Sequence, residues 1–315
     1  MHIPDGFLDA KTIVATTALS TIGLGVALRQ VNTRVSSRQV PLIGLTAAFV
    51  FAAQMLNFPV AGGTSGHLMG AVLAAVLLGP AAGVVVMTSV LIVQCLLFAD
   101  GGLLALGANV FNMAIVGTLG GYTVYRLVRR LVRGSHGNLM AAAFASWCST
   151  VLAATCCAGE LAWSGTVAWG AGFPAMANVH MLIGIGEGLI TTLVLAAIAR
   201  TRPDLLEHES HATPVRADLS WIAWGLVLSF GLVLFISPFA SSWPDGLESV
   251  AAALGFEQRA LADALLGSPM LEYRIPGIGS PVAATALAGV VGTVVVFMLS
   301  YLLARVLVPR SRTHP

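Results

Sequence analysis

Nine apolar stretches recur along this 315-residue chain, at 11–29, 41–57, 67–79, 81–98, 103–128, 138–159, 176–199, 220–237 and 282–304. A helix that crosses a bilayer needs roughly 17–25 such residues. The stretch at 67–79 is short, and Gly79-Pro80 breaks it from the next, with GPAAG suited to a tight turn. Charged residues make up 10% of the chain and hydrophobic ones 57%. Soluble domains carry about 25% charged residues, so these charges are too few to cover a water-facing surface. The chain reads as an all-α polytopic membrane protein whose abundant Gly and Ala let helices approach closely.

The basic residues test this count. Arg29, Arg34 and Arg38 fall in one connection; Arg126, Arg129, Arg130 and Arg133 in another; Arg200, Arg202 and Arg216 in a third; Arg305, Arg310 and Arg312 at the end. Nine spans with the N-terminus outside place all four groups, 13 of the 16 basic residues, on the cytoplasmic side. Lys11, Arg259 and Arg274 remain outside, as the positive-inside rule requires. The expected location is a bacterial inner membrane, with the C-terminus cytoplasmic.

Two parts are visible. Residues 1–200 form a dense helical unit. The polar stretch TRPDLLEHESHATPVRADLS makes 201–219 a cytoplasmic linker. Residues 220–315 then supply two more spans flanking an outside segment of about forty residues, in which LESVAAALGF suggests a short surface helix.

The chemistry starts at the first residues, MHIPDGFLDA. No Lys or Arg precedes Lys11, so the stretch lacks the charged start of a secretory signal and is expected to be retained. The Met1 amine, the amide nitrogen of residue 2 and the His2 imidazole can then chelate one metal through fused five- and six-membered rings. A fourth nitrogen completes a square plane, the arrangement that suits Ni(II) or Cu(II). His67, in the Gly-rich stretch GGTSGHLMG on the same face, is the best donor. The plainer reading makes His2 a polar residue at a frayed end.

Gln54, Asn57, Gln94, Asp100, Asn109, Asn112, Glu160 and Glu187 recur near the membrane. Intramembrane polar groups are costly and mark function or helix–helix hydrogen bonds. Glu187, inside the seventh span, needs a partner or a proton. Cys95, Cys148, Cys156 and Cys157 read as small core residues, and His208 and His211 as part of a solvated linker. HExxH and G-x-S-x-G motifs are missing, and the lone lysine, Lys11, rules out a Walker A loop in this chain. A transporter driven by ATP therefore needs its ATPase in another polypeptide. A proton-coupled carrier relaying through Glu187, or a metal-sensing membrane scaffold, are the rival readings.

MHIPDGFL, SGHLMGAVLAAVLLGP and VQCLLFADGGLLALGANVFNMAIVG together resemble the CbiM/NikM family over most of 1–200. These proteins are substrate-capture (S) components of energy-coupling-factor transporters for cobalt and nickel, serving among other things cobalamin biosynthesis. PFASSWPDGLESVA resembles the PDGLE segment of the small CbiN/NikN partner. The resemblance implies a seven-helix S component plus a two-helix C-terminal unit that aids uptake. It implies metal binding by Met1, His2 and His67; Asp5, Ser65, Asn109 and Asn112, from their place in the motifs, and Glu187 are the candidates to support those ligands, and no organic cofactor is expected. It also implies partners outside this chain: a membrane coupling (T) subunit and ABC-type ATPases, with no nucleic acid. Gly66/Gly70 and Gly79/Gly83 are expected faces for the coupling subunit. The fused arrangement favours Ni2+ over Co2+ as the cargo.

Overall fold

In the computed structural model, residues 1–132, 134–206, 220–261 and 267–309 are described. Arg133, His208, His211, Arg216, Arg310, Arg312 and His314 lie outside them. Helix α1 spans Ala10–Arg34, α2 Val40–Gln54, α3 Ala71–Leu78 and α4 Pro80–Val93, the last extended by a π-helical turn over Gln94–Phe98. Next, α5 (Leu106–Asn109) runs through a π-helical stretch, Val110–Gly120, into α6 (Gly121–Leu131). Helices α7 (Ser135–Trp163) and α8 (Trp169–Thr201) complete a first unit of seven helical rods. After the linker come α9 (Ser220–Gly231), the short α10 (Gly246–Leu254) and α11 (Pro281–Leu307).

The starts and stops follow local chemistry. The Asp9 carboxylate accepts from the Thr12 amide and caps α1, and Ser280 does the same for α11 through Ala283. Pro80 and Pro281 occupy first-turn positions, where a missing N–H costs nothing. Gly79, at φ +84°, makes the corner between α3 and α4.

Among the described residues six helical segments are long and apolar enough to cross a membrane: Ala10–Arg34, Pro80–Phe98, Gly137–Trp163, Trp169–Thr201, Ser220–Phe239 and Pro281–Leu307. Of the nine expected stretches, 41–57, 67–79 and 103–128 hold helices that do not meet that measure of length and composition. The third expected span shrinks to the eight residues of α3, about 12 Å at 1.5 Å per residue, too short for a ~30 Å hydrocarbon layer. Every residue of α3 is buried, as are most of α2. These helices are hydrophobic all round because protein surrounds them. Helix α1, by contrast, is mostly turned outward.

The C-terminal helices pack into the first unit. A Cβ added at Gly292 of α11 would come within 2.2 Å of the Phe51 ring on α2, and one at Gly289 within 2.7 Å of Val233. The glycines expected to receive a coupling subunit are largely used inside the chain: Gly66 meets Ile183, Gly70 meets Val50, and Gly83 meets Thr118 and Ala75. Gly79 alone of the four faces open space. A two-stranded hairpin, Phe58–Val60 with Thr64–Gly66, lies at the end of the molecule that carries Met1 and α10.

Candidate metal site

The first residues enter the protein as an extended strand. The Ile3 amide donates to Asn109 Oδ1 at 2.8 Å, Asn109 Nδ2 donates back to the Ile3 carbonyl at 3.1 Å, and the Gly102 amide reaches the same carbonyl. Asp5 accepts from the amides of Leu103, Leu104 and Ala105. Gly102 is required there, since a Cβ would fall 2.1 Å from the Asp5 carboxylate. Asn109 and Asp5 thus anchor the chain on either side of Pro4, and Met1 and His2 end deep inside, each with a side chain 6% exposed.

Inside, three groups meet. The Met1 amine lies 3.3 Å from His67 Nε2, and the rings of His2 and His67 stack with centroids 5.4 Å apart. A cavity of about 20 Å³ touches Met1, His67, Met69, Met113, His180 and Asp245, room for one water-sized species. Among the described residues no cluster of three His, Cys, Asp or Glu side chains is arranged to hold a metal. The donors here are of another kind: a main-chain amine, a main-chain amide and two imidazoles.

Hydrogen bonds set which ring nitrogens are free. The Met69 carbonyl can only accept, so Gln54 presents Nε2 to it at 2.7 Å and turns Oε1 to Gln94 Nε2. Gln94 Oε1 then faces His2 Nε2 at 3.2 Å, so that nitrogen donates. The Nδ1 lone pair, the one that closes a six-membered chelate, is available in the tautomer with the proton on Nε2 toward Gln94, whereas the Asp100 carboxylate beside Nδ1 favours the other tautomer. His67 Nδ1 donates to the Leu68 carbonyl at 3.0 Å, which leaves Nε2 bare toward the Met1 amine. Such tautomer-fixing partners are typical of metal-binding histidines. His2 Nδ1 also lies 3.1 Å from Asp100, whose other oxygen accepts from Tyr273.

The electrostatics are asymmetric. Burial pushes the His67 imidazole down to about 3, helped by the nearby amine charge. Burial likewise lowers His2, with Asp100 opposing. The Met1 amine goes the other way. Burial disfavours its charge, but the Asp245 carboxylate, 2.6 Å away, outweighs burial and holds it above its ordinary value. The ammonium in turn keeps Asp245 well below the carboxylate range, against burial.

The supporting residues expected from sequence divide. Asp5 and Asn109 hold the strand, as described. Ser65 donates its hydroxyl to the Trp243 carbonyl, tying the His67 loop to the C-terminal unit. Glu187 accepts from the amides of Met69 and Gly70, bracing the start of α3 just after His67. Asn112 stands apart and donates to Glu160 on α7. None of the five touches an imidazole. The residues that do, Gln94 and Asp100, were visible in sequence as polar groups near the membrane and gave no sign of which nitrogen they face. Asp245 sits in the PDGLE segment, recognisable as a motif but with nothing to tie it to Met1.

The model of the cobalt uptake substrate-specific transmembrane region, CbiM, matches residues 2–205. The chain belongs to the CbiM family. The PDGLE domain matches residues 219–309. A putative fused nickel transport protein, NikMN, of Archaeoglobus fulgidus is 41% identical over 308 residues, covering 97% of this chain and 98% of that protein. The cobalt transport protein CbiM of Geobacter sulfurreducens is 32% identical over 281 residues, covering 82% and 80%. The crystal structure of a truncated transition metal transporter is 36% identical and superposes with a TM-score of 0.57, covering 64% of this chain and 99% of that one. The chain is therefore a multi-pass membrane protein of a family whose relatives are named as metal transport proteins.

Proposed function

We propose that this CbiM-family chain captures a divalent transition metal, most simply Ni2+, from outside the cell with the Met1 amine, the residue 2 amide and imidazole, and His67. The observation that carries this reading is the convergence of the Met1 amine on the bare Nε2 of His67, beside a His2 ring whose Nε2–H is fixed by Gln94. Four nitrogens suit Ni(II) in a square plane, and Cu(II), stronger on affinity alone, must be excluded by geometry and supply. The fused relatives are named for nickel, whereas others of the family are named for cobalt.

Charge balance supports a divalent cargo. The amine and the amide must each lose a proton to bind, so one M2+ replaces two protons and the pocket keeps its charge beside Asp100 and Asp245. Burial lowers both imidazoles, His67 to about 3, so neither adds to the proton cost as the amine does. The surrounding residues divide the remaining work. Asp5 and Asn109 deliver the strand, Ser65 and Glu187 hold the His67 loop, and Gln94 and the Leu68 carbonyl fix the tautomers. With the N-terminus outside and the C-terminus in the cytoplasm of a bacterial inner membrane, the ion enters at the Met1 end. Inward release follows a tilt of the whole S unit, driven by ABC-type ATPases through a membrane coupling subunit. The domain division follows the chemistry: 1–200 captures, 201–219 links, and 220–315 serves the capture site.

One insertion tests the ligand set. A residue placed between Met1 and His2 keeps both histidines and every helix but changes the chelate rings. The parent should hold one nickel with a yellow, diamagnetic square-planar spectrum, and the insertion should abolish it. Equal binding by both proteins refutes the site. Reconstitution with and without the ATPase partners separates the coupled importer from a self-sufficient carrier, which would move metal alone.

A further inference from the structure

The outer segment of the C-terminal unit sits directly on the capture site. The Ser65 amide donates to the Pro244 carbonyl at 2.8 Å, the Thr64 and Ser249 hydroxyls are 2.9 Å apart, and the Phe7 and Phe256 rings meet edge to face. The Leu261 amide donates to the Asp5 carbonyl, and Gly6, at φ +97°, lies so close to the Arg259 carbonyl that a Cβ would be 2.1 Å from it. Gly246 seats α10 on His180, where a Cβ would be 2.7 Å from the ring.

Two side chains of this segment go further and reach the chelate. Asp245 uses its two oxygens differently. Oδ1 caps α10 by accepting from the Leu247 and Glu248 amides, and Oδ2 accepts from the Met1 amine at 2.6 Å. Tyr273 donates to Asp100, which places the other Asp100 oxygen 3.1 Å from His2 Nδ1. Tyr273 and its neighbour Glu272 both take positive φ, 58° and 51°, and Ala99 beside Asp100 has φ 55°. Non-glycine residues hold such backbone only where surrounding contacts enforce it.

We propose that the C-terminal unit completes the metal site: Asp245 is a positioning residue for the Met1 amine, and Tyr273, through Asp100, is one for the His2 ring. The inference rests on the capture-site reading above. Together the two contacts clamp both ends of the N-terminal chelate beside His67, with the carboxylates of Asp245 and Asp100 balancing the charge of a divalent ion. A unit that only packed against the membrane helices would have no reason to place a carboxylate on the amine.

The test uses the full chain in nanodiscs, with Ni2+ as probe, reading equilibrium affinity and the visible spectrum. Asp245→Asn keeps the α10 cap, since Asn and Asp cap equally well, but turns the oxygen facing the amine into an NH2 group. The expected loss is 10–100-fold in affinity, the range for a partner that orients a metal ligand, with a shifted ligand-field band. Tyr273→Phe should lose less, in the same direction, and Glu257→Gln, exposed on the same segment, should bind as the parent does. Docking is read separately by a Thr64→Cys/Ser249→Cys disulfide. Weakened binding with the disulfide still forming supports the clamp. Affinity unchanged within twofold in Asp245→Asn overturns it, as does a loss accompanied by failure of the disulfide, because the carboxylate then acts by docking alone. A parent that binds no nickel refutes the capture site and the clamp with it, whereas a binding parent with an unaffected Asp245→Asn refutes the clamp alone.

Discussion

The two walls of the capture site are built from different materials. One wall, drawn wholly from the first unit, is neutral: a carbonyl at Leu68 and a chain of amides running from the Met69 carbonyl through Gln54 and Gln94 to His2. The other wall carries charge and is shared between the units: Asp245 of the C-terminal unit lies on the amine, and Tyr273 grips Asp100 of the first. Neutral hydrogen bonds decide which nitrogen keeps a lone pair; they do little to the charge of the pocket. Carboxylates decide how much positive charge the pocket accepts, and Asp100, beside His2 Nδ1, also bears on that ring's tautomer. Separating the two tasks lets one wall, within the first unit, hold the ligands while the other, shared by both units, sets the electrostatics.

The largest test of that separation is acidity. Metal must displace one proton from the amine and one from the amide, while burial lowers both imidazoles, His67 to about 3. The amine's value is raised, so at neutral pH the group is an ammonium that must discharge. Affinity therefore falls as pH falls, by about 100-fold per unit for two protons. Nickel titrations between pH 6 and 8 should give a slope of two on a logarithmic plot. A slope that steepens below pH 6.5 would mean that histidines titrate too, and the neutral wall would lose its assigned task.

Gln94→Leu attacks the neutral wall alone. It removes the acceptor at His2 Nε2 and strands Gln54 Oε1. Affinity should drop by about 10–100-fold, with the pH slope still two, because no charge has changed. Isothermal titration at two pH values reads both. An altered slope would show that the walls are not separable.

Glu187→Gln comes next. Its carboxylate accepts two amides at the start of α3, immediately after His67. A Gln can accept one and must point an NH2 group at the other, leaving a buried amide unpaired at a cost of about 1–3 kcal/mol. The melting temperature should fall, while affinity changes only several-fold, since no ligand is touched. A carrier relaying protons through Glu187 would instead lose flux with its stability intact.

The long apolar stretches were legible because lipid demands length and low charge, and the N-terminal chelate because its ring sizes follow from covalent structure. The stretches at 41–57, 67–79 and 103–128 hold helices that fall short of a spanning helix's length or hydropathy, because burial inside protein and burial in lipid leave the same apolar signature. The residues on the His2 ring and the Met1 amine, Gln94, Asp100 and Asp245, lie 92 to 244 positions from their partners. Which oxygen faces which nitrogen over such separations is decided by packing, and no local pattern encodes it. Asn112 illustrates the reverse error: close in sequence to Asn109, it sits on the other side of a π-helical turn and faces α7.

Asn112 and its partner supply the smallest expected effect. Glu160 accepts from Asn112 Nδ2 at 2.7 Å, while its other oxygen and Asn112 Oδ1 are buried without partners. This pair belongs to neither wall. Glu160→Gln replaces an ionisable group inside a membrane helix with a neutral amide of the same shape, and such groups are costly to bury. The substitution should leave nickel affinity within twofold and the melting temperature unchanged or higher. A tenfold loss of affinity would instead extend the site down α7, and the division of labour between two walls would need a third.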